Sequence, residues 1–259
     1  MRLDQAQLDE YGEHGFLFFP SLLSPTEMEV LTRALEFVIA RPRREIVFER
    51  DGKTVRSVFN MQAYDKTYAS LVRHPKLLGP VSQILGNAAY VFQLVLNLKA
   101  PFDGDEWPWH QDYPTYRHDD GMAQPAVVNT LVFVDEVTEF NAPLMLIPGS
   151  HRHDFPLPDI DRTKTSYPGR WLPTPYVEPI ARAHGIIAPK GPAGSVIFAH
   201  TNIVHGSGKN YSPWRRALIS LTLNSVGNEA VISHRPDYIV PADHTPLEML
   251  GEDCLLELA

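Results

Sequence analysis

The chain has 259 residues, is 44% hydrophobic and 21% charged, and carries 16 Gly and 23 Pro. That mixture excludes disorder, collagen and coiled coil, and its length allows one large globular domain or two small ones. With 23 Lys+Arg against 31 Asp+Glu the net charge is −8, the wrong sign for a protein that neutralises phosphates, so nucleic acid is not an expected partner. No apolar run approaches the roughly 20 residues that span a bilayer. The polar, acidic start lacks the regions of a signal peptide, and the single Cys254 cannot form an internal disulfide. A cytoplasmic protein with no membrane contact, monomeric or homodimeric, is the expectation.

Leu3, Leu8 and Tyr11 predict a short amphipathic helix ending near Gly12–Gly15, followed by a buried strand Phe16-Leu17-Phe18-Phe19 closed by Pro20. Ser24-Pro25-Thr26-Glu27 is a capping box with proline at the first helical position, which predicts a helix from Pro25 to about Ala40. Val47–Arg50 and Thr54–Phe59 flank Asp51-Gly52, a hairpin signal. Residues 66–86 read as helical, with Pro75 and Pro80 breaking the pattern and Gly86 as the C-cap.

From residue 89 onward the pattern changes. Ala89–Ala100, Ala126–Val134, Pro143–Ile147, Gly194–Ala199 and Ala217–Asn224 are short segments rich in Val, Leu, Ile and Phe, separated by turn residues. Such spacing favours a sandwich or barrel, and helices followed by strands argue against a parallel sheet. Residues 152–192 form a long, Pro-rich, strand-poor insertion of the kind that often serves as a lid. The reading is one domain over 1–259: mainly β with flanking helices, an antiparallel sandwich buttressed by N-terminal helices.

His-x-Asp occurs twice. His118-Asp119-Asp120 sits in a charge cluster expected to be solvated on a turn, whereas His110-Gln111-Asp112 lies between Trp107-Pro108-Trp109 and Tyr113. In an extended chain His110 and Asp112 share a face and could grip one ion. Two histidines and one carboxylate with open positions is the arrangement of non-haem Fe(II) oxygenases. The second histidine could be His151, His184, His200 or His205; His205 opens the loop Val204-His205-Gly206-Ser207-Gly208 after a predicted strand. Arg216, at the head of an apolar strand, needs an anionic partner such as a dicarboxylate. On residue types alone, a cupin-type zinc site and histidines that only satisfy backbone groups stand beside the iron reading.

His110-Gln111-Asp112, Pro148-Gly149-Ser150-His151, Gly194-Ser195-Val196-Ile197-Phe198, His205-Gly206-Ser207 and Arg216 together resemble the phytanoyl-CoA dioxygenase family, from about residue 8 to residue 248. Within it, Asp120-Gly121-Met122 and the run Phe140–His151 are similar to ectoine hydroxylases, and Trp109-His110-Gln111-Asp112 to leucine hydroxylases. The resemblance implies a double-stranded β-helix (a cupin-like jelly roll), Fe(II), 2-oxoglutarate and O2. It implies His110, Asp112 and His205 as iron ligands, and Arg216 with Ser207 on the distal carboxylate of 2-oxoglutarate. Asn97 and Asn129 would line that pocket, and Tyr116 stands where the relatives have tryptophan in the wall shared by cosubstrate and substrate. Gln93 and Arg235 would contact substrate, Arg235 holding its carboxylate, with Leu94, Val95 and Tyr113 in the wall. The implied reaction is hydroxylation of a small zwitterion, with a free aliphatic or cyclic amino acid first and an ectoine-like compound or an aminophosphonate second. His200 and His151 are expected to be structural, and Arg41, Arg43 and Arg44 a solvated helix end.

Overall fold

The computed structural model describes residues 1–232 and 234–258. Helix α1 (Gln5–His14) starts at a capping box on Asp4 and ends where Gly15 turns left-handed, and β1 (Phe16–Phe19) follows at once. The Ser24–Glu27 capping box opens α2 (Pro25–Ile39) as its spacing requires, and the apolar stripe Met28, Leu31, Leu35 and Val38 is buried. The hairpin β2 (Ile46–Phe48) and β3 (Val55–Phe59) leads to α3 (Lys66–Leu71) and α4 (Pro75–Leu85). Pro80 does not end α4 as expected: it lies inside the helix, whose buried face of Leu77, Leu78 and Val81 holds the segment helical despite the lost hydrogen bond.

Seven strands form the larger sheet, in the order β1-β8-β6-β10-β4-β3-β2, with every neighbouring pair antiparallel. Its centre is β4 (Ala89–Lys99), β10 (Arg216–Ser225), β6 (Val127–Phe133) and β8 (Val196–His200). A smaller antiparallel sheet, β5-β9-β7, is made of β5 (Trp107–His110), β9 (His205–Ser207) and β7 (Met145–Leu146). Two antiparallel sheets flanked by N-terminal helices give the jelly-roll architecture expected. No helix among the described residues is long and apolar enough to cross a membrane.

The period of two in the central strands sorts their side chains into two environments. Leu94, Leu96, Leu98, Val128, Ile219 and Leu221 face the helices and pack with Leu31, Leu35 and Leu77 in the main core. The alternate positions Gln93, Val95, Asn97, Asn129, Leu131, Leu218 and Ser220 face the smaller sheet and line a cavity of about 560 Å³. Leu94, expected in the cavity wall, therefore lies on the opposite face of the sheet, whereas Val95 is where it was expected.

Two segments read as irregular are ordered elements. Asp112 immediately precedes α5 (Tyr113–Asp119), and the insertion 152–192 contains α6 (Thr174–His184), whose Val177 and Ile180 pack with Ile147 and Val204. Pro173, Pro175 and Pro179 hid α6 from a sequence reading; the first two sit at the helix start, where proline costs little, and Pro179 lies inside the helix beside the buried Val177 and Ile180. The remainder of the insertion crosses the cavity mouth: Ile160, Arg162, Tyr167, Pro168, Gly169, Arg170 and Trp171 all line it.

Candidate active site

The smaller sheet brings the two histidines together. His110 ends β5 and stands directly opposite His205, the first residue of β9, with ring centroids 4.1 Å apart. Gly206 makes that pairing close: a Cβ there would meet the Trp107 carbonyl oxygen at 2.9 Å. Each imidazole uses Nδ1 on a backbone carbonyl two residues earlier, His110 on Pro108 at 2.7 Å and His205 on Ile203 at 3.0 Å. A carbonyl only accepts, so both rings carry the proton on Nδ1 and present Nε2 as a lone pair.

Asp112 reaches the same point by another route than expected. His110 and Asp112 do not share a strand face, because the chain turns at Asp112 into the helical region at the start of α5. The backbone N–H groups of Asp112 and Tyr113 both donate to the Thr201 carbonyl, at 2.9 and 3.1 Å, which fixes the turn. Asp112 Oδ1 lies 3.5 Å from His110 Nε2, and Oδ2 lies 3.7 Å from His205 Nε2. These three residues form the one group of potential metal ligands found among the described residues, with donor atoms within 4.8 Å of one another. Burial alone would raise the Asp112 carboxyl, but the neighbouring imidazoles and the Asn129 amide outweigh it and pull it down to about 2. Burial, with His110 alongside, pushes His205 down to about 4, so it is neutral and able to ligate. Two imidazole Nε2 atoms and one carboxylate on one side of a point suit Fe(II) with open positions.

Arg216, the first residue of β10, is 2% exposed and lines the cavity. Its Nη2 donates to Ser207 Oγ at 3.3 Å, and its Nε has no partner. The neighbouring Arg215 faces the other way and takes Asp135 and Glu36, so among the described residues no carboxylate pairs with Arg216. Burial lowers its pKa only to about 10, which leaves it charged at neutral pH. A buried guanidinium with an orphan N–H is the complement of an anionic ligand, and the far carboxylate of 2-oxoglutarate fits.

Asn97 and Asn129 both line the cavity, as expected. Asn97 accepts from Ser57 Oγ at 2.9 Å, and Asn129 Nδ2 donates to Asp112 Oδ2 at 2.5 Å. Tyr116 and Gln93 are also in the wall; the Tyr116 ring meets Phe92 edge-on at 4.8 Å, and Gln93 Nε2 donates to the Ile239 carbonyl at 3.2 Å. Tyr113 is not in the wall. It is the first residue of α5, and its side chain turns away to pack with Met122, whose carbonyl its hydroxyl reaches at 3.4 Å. Arg235 lines the cavity, but its guanidinium is engaged by Asp120 through Nε at 3.0 Å and through Nη2.

The charge cluster 117–120, read as a solvated turn, is only partly so. His118 is exposed, yet Asp120 is fully buried against Arg235, and Asp119 lines the cavity and binds Arg170 Nη2 at 2.8 Å. The partner arginines lie more than 50 and 100 residues away in the chain, too far for local spacing to reveal them. Trp107, Tyr167 and Trp171 complete an aromatic rim, with Trp171 edge-on to His110 at 5.5 Å. His200 and His151 are structural as expected: His200 Nδ1 accepts from the Asn202 N–H at 3.0 Å, and His151 Nε2 contacts the Gly12 carbonyl at 3.2 Å.

The family model described as Phytanoyl-CoA dioxygenase (PhyH) matches residues 11–217. Similar proteins include L-proline trans-4-hydroxylase of Streptomyces griseoviridis, 35% identical over 256 residues that span 95% of this chain and 95% of the relative. Ectoine dioxygenase of Bordetella bronchiseptica is 34% identical over 252 residues, covering 92% of this chain and 82% of its own. Among solved structures, EctD of S. alaskensis with 2-oxoglutarate and 5-hydroxyectoine superposes with a TM-score of 0.85 at 28% identity, over 96% of this chain and 87% of that one. Iron, 2-oxoglutarate and O2 are the cofactors of this site, and the chain belongs to the phytanoyl-CoA dioxygenase family of non-haem iron dioxygenases.

Proposed function

We propose that the enzyme hydroxylates a ring carbon of a small cyclic zwitterion of the ectoine type. The coarser statement is established: it is a 2-oxoglutarate-dependent dioxygenase acting on a small zwitterion. In it substrate C–H, 2-oxoglutarate and O2 become substrate C–OH, succinate and CO2.

The charge of the outer cavity supports a zwitterion, and the likeness to hydroxylases of ectoine and L-proline carries the ring. Its wall presents Arg170 already matched by Asp119, and Arg235 already matched by Asp120. A substrate with a large net charge would itself go uncompensated beside these matched pairs in a partly buried site, whereas a zwitterion adds equal charges of both signs. Most of the named relatives are ectoine dioxygenases, which moves the reading from the free amino acid expected first to the ectoine-like alternative. The L-proline hydroxylase, spanning 95% of both chains, supports a cyclic amino acid as the second reading. Ectoine and L-proline share a small ring with a carboxylate on the carbon beside a ring nitrogen.

In this reading His110 Nε2, His205 Nε2 and Asp112 hold the iron. Bound Fe(II) with 2-oxoglutarate supplies the activation of O2 that an unactivated C–H requires. Arg216, helped by Ser207, receives the distal carboxylate of 2-oxoglutarate, and Asn97 offers its amide to the same ligand. Gln93, Tyr116 and Arg235 face the substrate, and the 159–171 stretch excludes water from it. The low count of cysteine and the net charge of −8 support a reducing compartment and no nucleic-acid partner. The test is succinate release and a product gain of one oxygen with ectoine, L-proline, L-leucine and an aminophosphonate. Turnover of ectoine above the others is expected; turnover of L-proline alone selects the second reading, and turnover of only the acyclic compounds overturns both.

A further inference from the structure

Asp112 is held by a chain of hydrogen bonds whose direction can be read donor by donor. Asn129 Nδ2 donates to Asp112 Oδ2 at 2.5 Å, and Asn129 Oδ1 accepts from Thr222 Oγ1 at 2.6 Å. The amide cannot be turned over, since its carbonyl oxygen would then face a carboxylate. Thr222 spends its single proton on Asn129, which fixes the amide with its oxygen toward Thr222 and its nitrogen toward Asp112. The line therefore runs from the Thr222 hydroxyl through Asn129 to the carboxylate.

Its geometry follows from sheet register. Asn129 on β6 and Thr222 on β10 are directly paired across the sheet, on the cavity face, and both are nearly fully buried. Their backbones lie at the centre of the seven-stranded sheet, so the amide approaches Asp112 from a rigid support. Asp112 itself sits on a turn between a short strand and a short helix, and needs that support to keep its carboxylate between the two imidazoles. A loop-borne ligand without it would rotate about its last torsion, which is broad for a carboxylate.

The geometry points to Asn129 as a positioning residue: together with Thr222 it fixes the plane of the Asp112 carboxylate and thereby sets the metal affinity of the site. This rests on the iron reading of the triad and adds a role for two residues of the sheet that never reach the metal. Outer partners of metal ligands typically contribute about 10–100-fold in affinity.

The test is titration of the metal-free full chain with Mn(II), followed by electron paramagnetic resonance of the free ion, in the absence of turnover. Wild type is compared with His205→Ala, Asn129→Leu, Thr222→Val and Thr222→Ser, and thermal unfolding is followed for each. Expected is Mn(II) binding by wild type that His205→Ala abolishes, with the dissociation constant raised about 10–100-fold by Asn129→Leu and Thr222→Val and restored by Thr222→Ser. If Asn129→Leu does not fold, the isosteric Thr222→Val carries the comparison. Wild-type affinity in the folded Asn129→Leu or Thr222→Val variants overturns the positioning role, as does a Thr222→Ser variant no tighter than Thr222→Val. Binding by wild type that His205→Ala leaves intact, or no binding at all, overturns the metal reading and this inference with it.

Discussion

His110 and His205 occupy opposite positions in one strand pair, and each spends its Nδ1 proton on the carbonyl two residues before it. The two rings are thereby set in the same tautomer before any metal arrives. Asp112, drawn down to about 2, completes the donor set as a carboxylate at neutral pH. Replacing His205 or Asp112 by alanine is expected to lower kcat by at least about 10³-fold, on the scale of losing a group that acts only in the assembled unit. The unfolding temperature should stay within a few degrees, because neither side chain belongs to the packed core. Steady-state kinetics beside thermal denaturation checks both halves.

Arg216 yields a prediction of opposite sign for binding and for stability. Its guanidinium is buried, with Ser207 as a hydrogen-bond partner and no carboxylate among the described residues. Truncating one member of a buried charge pair costs about 2–5 kcal/mol, so Arg216→Leu should raise the KM for 2-oxoglutarate by roughly 30-fold or more. An unpaired buried charge is itself costly, so the same variant without ligand should unfold at a higher temperature than wild type. Added 2-oxoglutarate should stabilise wild type and leave Arg216→Leu unmoved. Steady-state kinetics measures the first effect, and calorimetric scans with and without the ligand measure the other two.

How much of this was legible in the sequence depends on distance along the chain. The capping box at Ser24, the Asp51-Gly52 turn and the central strands β4, β6, β8 and β10 are local patterns, and each lies within a residue or two of its reading. Helix α5 was hidden because His110-Gln111-Asp112 was read as extended chain, and Tyr113, expected in the wall, is turned away by that helix to pack with Met122. Resemblance, rather than spacing, selected His205 among four candidate histidines. The partners of Asp119 and Asp120 could not be read at all, since nothing near residues 117–120 announces Arg170 or Arg235.

Asp119 separates substrate binding from cosubstrate binding. It lines the outer cavity and ties Arg170, and through it the 159–171 stretch, to the C-terminal end of α5. Asp119→Asn keeps the shape but removes the charge that Arg170 answers. The KM for the zwitterion should rise several-fold to tenfold, with the KM for 2-oxoglutarate near wild type, as kinetics with each varied in turn would display. An equal rise in both would mean that Asp119 supports the whole cavity rather than its outer half.

Stability should fall with acid in a window to which His200 contributes together with His205. Burial, with His151 beside it, pushes the His200 imidazole down to about 4, and its Nδ1 must keep a lone pair to accept from Asn202. The unfolded chain takes up a proton near the ordinary histidine value of about 6.5 while the folded protein does not, so stability is full above that pH and declines as pH falls toward 4. The group withdraws on the order of 2–3 kcal/mol over that window. His200→Asn retains an acceptor at the position of Nδ1 but cannot titrate. Its unfolding temperature should fall less than that of wild type between pH 7 and pH 4.5.

The measurement that bears most directly on the account is an anaerobic crystal structure with Fe(II) and 2-oxoglutarate. The account predicts iron bonded to His110 Nε2, His205 Nε2 and Asp112, with the distal carboxylate of 2-oxoglutarate on Arg216. Iron seated elsewhere, or that carboxylate lying away from Arg216, would contradict it.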